Sequence, residues 1–159
     1  MQDRATTTIF SDGPDRTCAI AARLGAMLSP GDTVLLTGDI GAGKTHFARC
    51  LIQSLLLLPE DVPSPTFTLV QTYEARPGAI WHADLYRLTD PNDVSELGLT
   101  EAFEGAICLV EWPDRLGDLA PENALSLEIT NGPIADARIL TFRGPGETWA
   151  QKLAEIEHV

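Results

Sequence analysis

Residues 38–45 read Gly38-Asp39-Ile40-Gly41-Ala42-Gly43-Lys44-Thr45, a complete G-x-x-x-x-G-K-[ST] loop, and the five residues before them, Thr33-Val34-Leu35-Leu36-Thr37, have the apolar character of a buried parallel strand. Behind the loop, Phe47, Leu51 and Leu55 recur at four-residue steps with Ala48 and Ile52 alongside, which is the core-facing stripe of a helix. A strand, a glycine turn and a helix in direct succession leave few folds open. The residue types suit a polyphosphate. Glycines let successive backbone N–H groups turn inward around phosphate oxygens, Lys44 supplies a point charge, and Thr45 offers a hydroxyl to Mg²⁺. The helix aims its positive end at the same phosphates. Asp39, Ile40, Gly41, Ala42, Gly43, Lys44 and Thr45 are therefore the candidate contacts to a nucleoside triphosphate. The chain has only two lysines, Lys44 and Lys152, and one stands where the loop requires it.

The 159 residues fit one domain, 1–159, with a sizeable core. A net charge of −12 argues against a stand-alone nucleic-acid binder, because affinity for phosphate backbones comes from clustered Lys and Arg. Any RNA involvement would go through a partner; equally, the acidity serves solubility alone. Cys18, Cys50 and Cys108 are odd in number, widely spaced and set in apolar surroundings, which predicts reduced core thiols in a cytosolic protein. No metal-ligand spacing joins them to His46, His82 or His158. Asp3, Asp12 and Asp15 precede the first apolar stretch and Arg23 interrupts it, unlike a cleaved signal peptide. The longest apolar run, residues 55–58, is far too short to span a bilayer, so no membrane association is expected.

Residues 6–10 read as a first strand, and Ser11-Asp12-Gly13-Pro14 as a helix cap with proline in the first turn. Ile20, Leu24 and Leu28 keep a helical step until Pro30-Gly31. Strands are expected at 67–73, 79–85 and 107–110, followed by 125–129 and 138–142, which alternate as an antiparallel edge. Residues 149–156 read as a surface helix, and 59–65 and 113–121 as mobile loops. The order predicts an α/β fold, a mixed, mostly parallel sheet flanked by helices with antiparallel edge strands.

A phosphate loop needs a partner carboxylate, and such an acid commonly ends a hydrophobic strand, which gives it a rigid base. Ile107-Cys108-Leu109-Val110-Glu111 has that form, making Glu111 the first candidate Mg²⁺ carboxylate; the bland reading is a strand-ending glutamate facing solvent. Trp112 beside it either packs at the site or covers the sheet end. In His82-Ala83-Asp84-Leu85-Tyr86-Arg87, a continuing strand would put His82, Asp84 and Tyr86 on one face. Asp84 is then a second carboxylate near the metal or the attacking water, or else fixes a loop by bonding His82 or Arg87. Ser64-Pro65-Thr66-Phe67-Thr68 follows the loop's helix, where nucleotide switches keep a hydroxyl that senses γ-phosphate; a proline turn opening a strand looks the same.

Together, Gly-Asp-Ile-Gly-Ala-Gly-Lys-Thr, Ser-Pro-Thr-Phe-Thr-Leu-Val, His-Ala-Asp-Leu-Tyr-Arg-Leu and Leu-Val-Glu-Trp-Pro, in this order and spacing over residues 38–113, closely resemble the bacterial TsaE (YjeE) family. These are small ATPases of tRNA threonylcarbamoyladenosine biosynthesis. The resemblance implies a P-loop NTPase-like fold, bound ATP and Mg²⁺, and a cytoplasmic protein that works with TsaB and TsaD. Those partners attach the threonylcarbamoyl group, while the ATPase resets their complex and meets tRNA only indirectly. It also implies Lys44 on the β- and γ-phosphates, Thr45 and Glu111 on Mg²⁺, and Asp84 near the metal or water. Ser64 and Thr66 would form the switch-like loop, Trp112 would sit beside the site, and Thr17 near the nucleotide base. Where many relatives carry a second hydroxyl residue after the Lys-Thr pair, this chain has His46, which must replace or forgo a phosphate contact.

The expected chemistry is in-line attack of water on the γ-phosphate, with Lys44 and Mg²⁺ stabilising charge and Asp84 or Glu111 orienting the nucleophile. Slow turnover is expected for the chain alone, since Arg87 is the only arginine inside a motif. The alternative is a small-molecule kinase, whose arginine-rich lid has no counterpart among nine scattered arginines. A GTP-operated binding module would need Asn-Lys-x-Asp, and none of Asn92, Asn123 or Asn131 precedes a lysine.

Overall fold

Glycine at position 38 is what lets the loop leave the sheet where it does. Its φ is +156°, and a Cβ there would lie 2.5 Å from the carbonyl oxygen of Ile129 on the neighbouring strand. The computed structural model describes residues 4–39, 41–65 and 68–156. In chain order these form β1 (Arg4–Ser11), α1 (Pro14–Gly25), β2 (Thr33–Thr37), α2 (Lys44–Leu55), β3 (Val70–Glu74) and β4 (Ala79–Asp84). Then come the short α3 (Asn92–Glu96) and α4 (Leu99–Gly105), β5 (Ile107–Glu111), a 3-10 segment (Pro113–Leu119), β6 (Leu125–Asn131), β7 (Arg138–Pro145) and α5 (Gly146–Ile156).

The strands make one sheet in the order β1-β7-β6-β2-β5-β4-β3. Its four central strands, β6, β2, β5 and β4, run parallel. Both flanks are antiparallel, through β7 and β1 on one side and β3 on the other. The expected α/β fold is thus found, with parallel strands confined to the centre. A strand covered on both faces must be apolar throughout, and β5 is buried at every residue. Its alternate residues Ile107 and Leu109 join the core under α1, α2 and α5, while Val110 joins a second core with Leu85, Val94, Leu99 and Leu116. α1 lies so close to α2 that a Cβ on Gly25 would come within 3.3 Å of the Leu51 side chain.

Several local expectations are corrected. α1 stops at Gly25, short of Pro30-Gly31, because bonds from Met27 N–H to Leu24 and from Leu28 N–H to Gly25 tighten its end; Leu28 remains buried, so the apolar spacing outlasts the helix. Its N-cap is Gly13 without a side-chain cap, since Ser11 donates its hydroxyl to the Gly13 carbonyl. β6 and β7 are antiparallel to each other but neither is an edge, as β1 pairs outside β7 and β6 pairs with β2. β3 begins at Val70, after Leu69 at φ 67°. Residues 113–119 are a 3-10 segment in place of an open loop. α5 is a surface helix on one side only, for Trp149, Leu153 and Ile156 are buried. Cys18 and Cys50, expected as reduced thiols, form a disulfide between α1 and α2, with Cα atoms 5.2 Å apart; Cys108 is the buried thiol.

Candidate functional site

β2, β5 and β4 end together. Leu36 pairs with Glu111 and Glu111 with Asp84, so the loop after β2 and the acids ending β5 and β4 share the carboxyl edge of the parallel strands. The two-residue period puts Ile80, His82 and Asp84 on one face with Ile107, Leu109 and Glu111. Ile80, Ile107 and Leu109 belong to the core beneath α2. The same alternation that buries those apolar residues delivers the polar ones to the helix's start.

Lys44 opens α2 and is 6% exposed. Its Nζ donates to the Gly38 carbonyl and, at 3.3 Å, to that of Asp39, and lies 4.1 Å from the Trp112 ring centroid. Burial lowers its pKa, opposed by the carboxylates of Glu111, Asp84 and Asp39. Thr45 Oγ1 donates to Glu111 Oε1 at 2.9 Å. The other Glu111 oxygen accepts from His82 Nε2 at 2.7 Å, and since a carboxylate only accepts, that nitrogen carries the proton. His82 is fully buried and its Nδ1 has no hydrogen-bond partner among the described residues. Asp84 Oδ1 accepts from the Tyr86 N–H at 3.0 Å. Burial pushes the Asp84 carboxyl above its ordinary value and the Glu111 charge adds to this, against the Tyr86 bond and Lys44.

Lys44, Thr45, Asp84 and Glu111 line an open cavity of about 390 Å³, together with Asp39, Gly41, Gly43, His46, Ser64, Tyr86 and Trp112, while His82 lies behind Glu111. That is within the size range of small-ligand sites. Trp112 has a left-handed backbone at φ 58°, and its ring meets Tyr86 at a centroid distance of 4.9 Å. It packs at the site, covering Lys44. The donor chemistry suits a hard cation: Thr45, Glu111 and Asp84 present oxygens, and Mg²⁺ is usually held by one or two carboxylates plus phosphates of the substrate. Fittingly, no group of three His, Cys, Asp or Glu side chains able to hold a metal alone occurs among the described residues.

Ten of the sequence-derived site residues therefore meet at one cavity: Asp39, Gly41, Gly43, Lys44, Thr45, His46, Ser64, Asp84, Glu111 and Trp112. Ala42 and Thr17 line a smaller cavity of about 100 Å³ on the loop's other side, with Pro14, Gly43, His46, Asp136 and Arg138. The Thr17 hydroxyl is committed to Ser11 at 2.7 Å. His46 Nε2 lies 3.2 Å from the Pro14 carbonyl. Ile40 and Thr66 lie outside the described residues. β4 ends at Asp84, so Tyr86 reaches the cavity from the following turn, and His82 bonds Glu111 in place of Asp84. Sequence reasoning missed His82 as the acid's support and Tyr86 as the ring against Trp112; the polar spacing of His82 and Asp84 was the available signal.

A family model described as threonylcarbamoyl adenosine biosynthesis protein TsaE matches residues 11–139. The protein named tRNA threonylcarbamoyladenosine biosynthesis protein TsaE from Rickettsia bellii is 39% identical over 129 residues, spanning 81% of this chain and 89% of its own. The one so named from Bacillus subtilis is 35% identical over 144 residues, 90% of this chain and 89% of its own. The crystal structure of Bacillus subtilis YdiB superposes with a TM-score of 0.77 and 29% identity, covering 99% of this chain and 97% of that one.

Proposed function

Because the chain belongs to the TsaE family, whose members take part in threonylcarbamoyladenosine biosynthesis on tRNA, we propose that it binds Mg-ATP and hydrolyses it in support of the TsaB and TsaD transfer proteins. One observation carries this reading: Lys44, Thr45, Glu111 and Asp84 converge on one cavity at the carboxyl ends of three adjacent strands. The loop's backbone amides and the start of α2 cradle the phosphates. Lys44, desolvated and already held against two loop carbonyls, follows the β- and γ-phosphates as charge develops on them. Thr45 and Glu111, with Asp84 beside them, would hold Mg²⁺, which would supply charge neutralisation at the phosphates. Asp84, with a raised proton affinity, orients the attacking water.

Among the described residues lining the cavity none is an arginine, which supports a slow ATPase completed by a partner over a kinase with its own lid. The protein acts in the cytoplasm, where its tRNA pathway lies, and TsaB and TsaD hold the RNA. The test is calorimetric titration with Mg-ATP and Mg-GTP, then phosphate release with and without TsaB and TsaD. ATP binding is expected to fall at least about a hundredfold in Lys44→Ala, and release to accelerate with the partners. Equal affinity for GTP, or no binding of ATP, overturns the reading.

A further inference from the structure

Arg138 opens β7, paired to Ser11 of β1 and Asn131 of β6, yet its side chain crosses to the loop 96 residues earlier in the chain. Nε donates to the Ala42 carbonyl at 2.8 Å, Nη2 to that of Gly41 at 3.5 Å, and Nη1 to that of Ala137 at 2.8 Å. All three contacts are to main chain. In a planar trans peptide the C=O and N–H point in opposite directions, so drawing the Ala42 oxygen outward turns the Gly43 N–H the other way. Gly43 and His46 line both cavities, Lys44 lines the larger one and Arg138 the smaller. Arg138 thus draws on the Ala42 carbonyl from the smaller cavity, and the N–H of the same peptide is directed away from that pull. At φ 104° for Gly43 and 83° for Gly41, the loop backbone occupies the left-handed region, where glycine's freedom leaves the peptide orientation to be set from outside.

Resting on the reading of this cavity as a triphosphate site, we propose that Arg138 is a positioning residue that presets the loop's amides for phosphate. It acts through the Ala42–Gly43 peptide and touches no ligand. Arginine suits the task because its planar fork holds two successive carbonyls from two different nitrogens in a fixed geometry. The antiparallel flank of the sheet thereby braces the loop that the parallel centre carries.

The experiment compares Arg138→Met and Arg138→Lys with wild type, measuring melting temperature and calorimetric affinity for Mg-ATP and for Mg-tripolyphosphate, which lacks base and ribose. The methionine variant is expected to lose affinity for both ligands by the same factor, roughly 10- to 100-fold as for other outer partners of a ligand site. Lysine, which keeps one donor to Ala42, is expected to lose less, again equally for both. A loss confined to ATP means that Arg138 touches the nucleoside, and overturns the proposal. So does a lowered melting temperature with affinity intact, the mark of a structural role alone. Should methionine prevent folding, the lysine variant decides by the same comparison. A wild-type chain that binds neither ligand sinks the triphosphate reading along with this one, whereas wild-type binding with unaltered variants sinks this one only.

Discussion

Two carboxylates at neighbouring strand ends have opposite circumstances. Glu111 is held on both oxygens, by Thr45 and by buried His82, so its direction is set before any ligand arrives. Asp84 has one backbone N–H and is 7% exposed, and burial raises its pKa. The folded chain thus binds that proton more tightly than the unfolded chain does. The sign follows: no penalty exists below the unfolded value near 3.8, stability is lost as pH rises from there to the raised folded value, and the full penalty persists at neutral pH. Asp84→Asn keeps the acceptor for Tyr86 and removes the charge. At neutral pH, without nucleotide, this variant is expected to melt above wild type, with the gap closing as pH falls toward 4, while ATP hydrolysis collapses. Melting curves across pH, paired with phosphate release, check both halves; a variant that melts lower at neutral pH refutes the account.

Among the elements, α1 and α2 are tied twice, by the close approach at Gly25 and by the Cys18–Cys50 bond. That bond closes a loop of separation 32, and chain-entropy reasoning assigns such a loop about 3.7 kcal/mol. Reduction is therefore expected to lower unfolding stability by about that amount. Alkylation of the denatured, unreduced chain should label Cys108 alone. In the native chain even Cys108 should resist, for burial pushes its thiol up to about 12. Mass spectrometry counts the labels, and three on the unreduced chain would disprove the crosslink. No local sequence signal announced it, because the pairing depends on how two helices cross. The unit β2–loop–α2, by contrast, was legible outright: its glycines, its lysine and its apolar steps are neighbours in sequence. Glu111 was legible because it ends an apolar run, and Asp84 because the two-residue period sets it on a polar strand face with His82. The order of the antiparallel flank was not, since β7 inserting between β1 and β6 is a choice among distant strands, and the same choice is what brings Arg138 to the loop. His82 was visible but its partner was not, for the bond to Glu111 follows from the register of β4 on β5.

At the scale of the whole molecule, charge and its placement bear on how an RNA pathway could use this chain. The net charge is −12, and the nine arginines are the bulk of its eleven cations. Four of the nine donate to backbone carbonyls, the half-buried Arg49 to Val62 and Arg138 to the loop, and the exposed Arg76 to Ser54 and Arg115 to Tyr86. Lys44 is likewise held at the cavity, and Lys152 is paired with Asp32. What the folded chain offers to a phosphate backbone is dominated by its negative excess. Association with RNA draws most of its free energy from counterions released by clustered cations, so a chain with so large a negative excess gains little from contact and is repelled at distance. A triphosphate would be a different case, because under the proposed function its charges would be met in one concave place by amides, a helix end and one buried lysine. The chain alone is therefore expected to give no shift of tRNA in a native gel at about 50 mM salt, even at tens of micromolar protein, where basic proteins bind without specificity. Under the same conditions Mg-ATP should bind. A salt-sensitive tRNA shift at micromolar concentration would mean that the fold gathers its cations into a patch, and would overturn the proposal that the chain meets tRNA only through TsaB and TsaD.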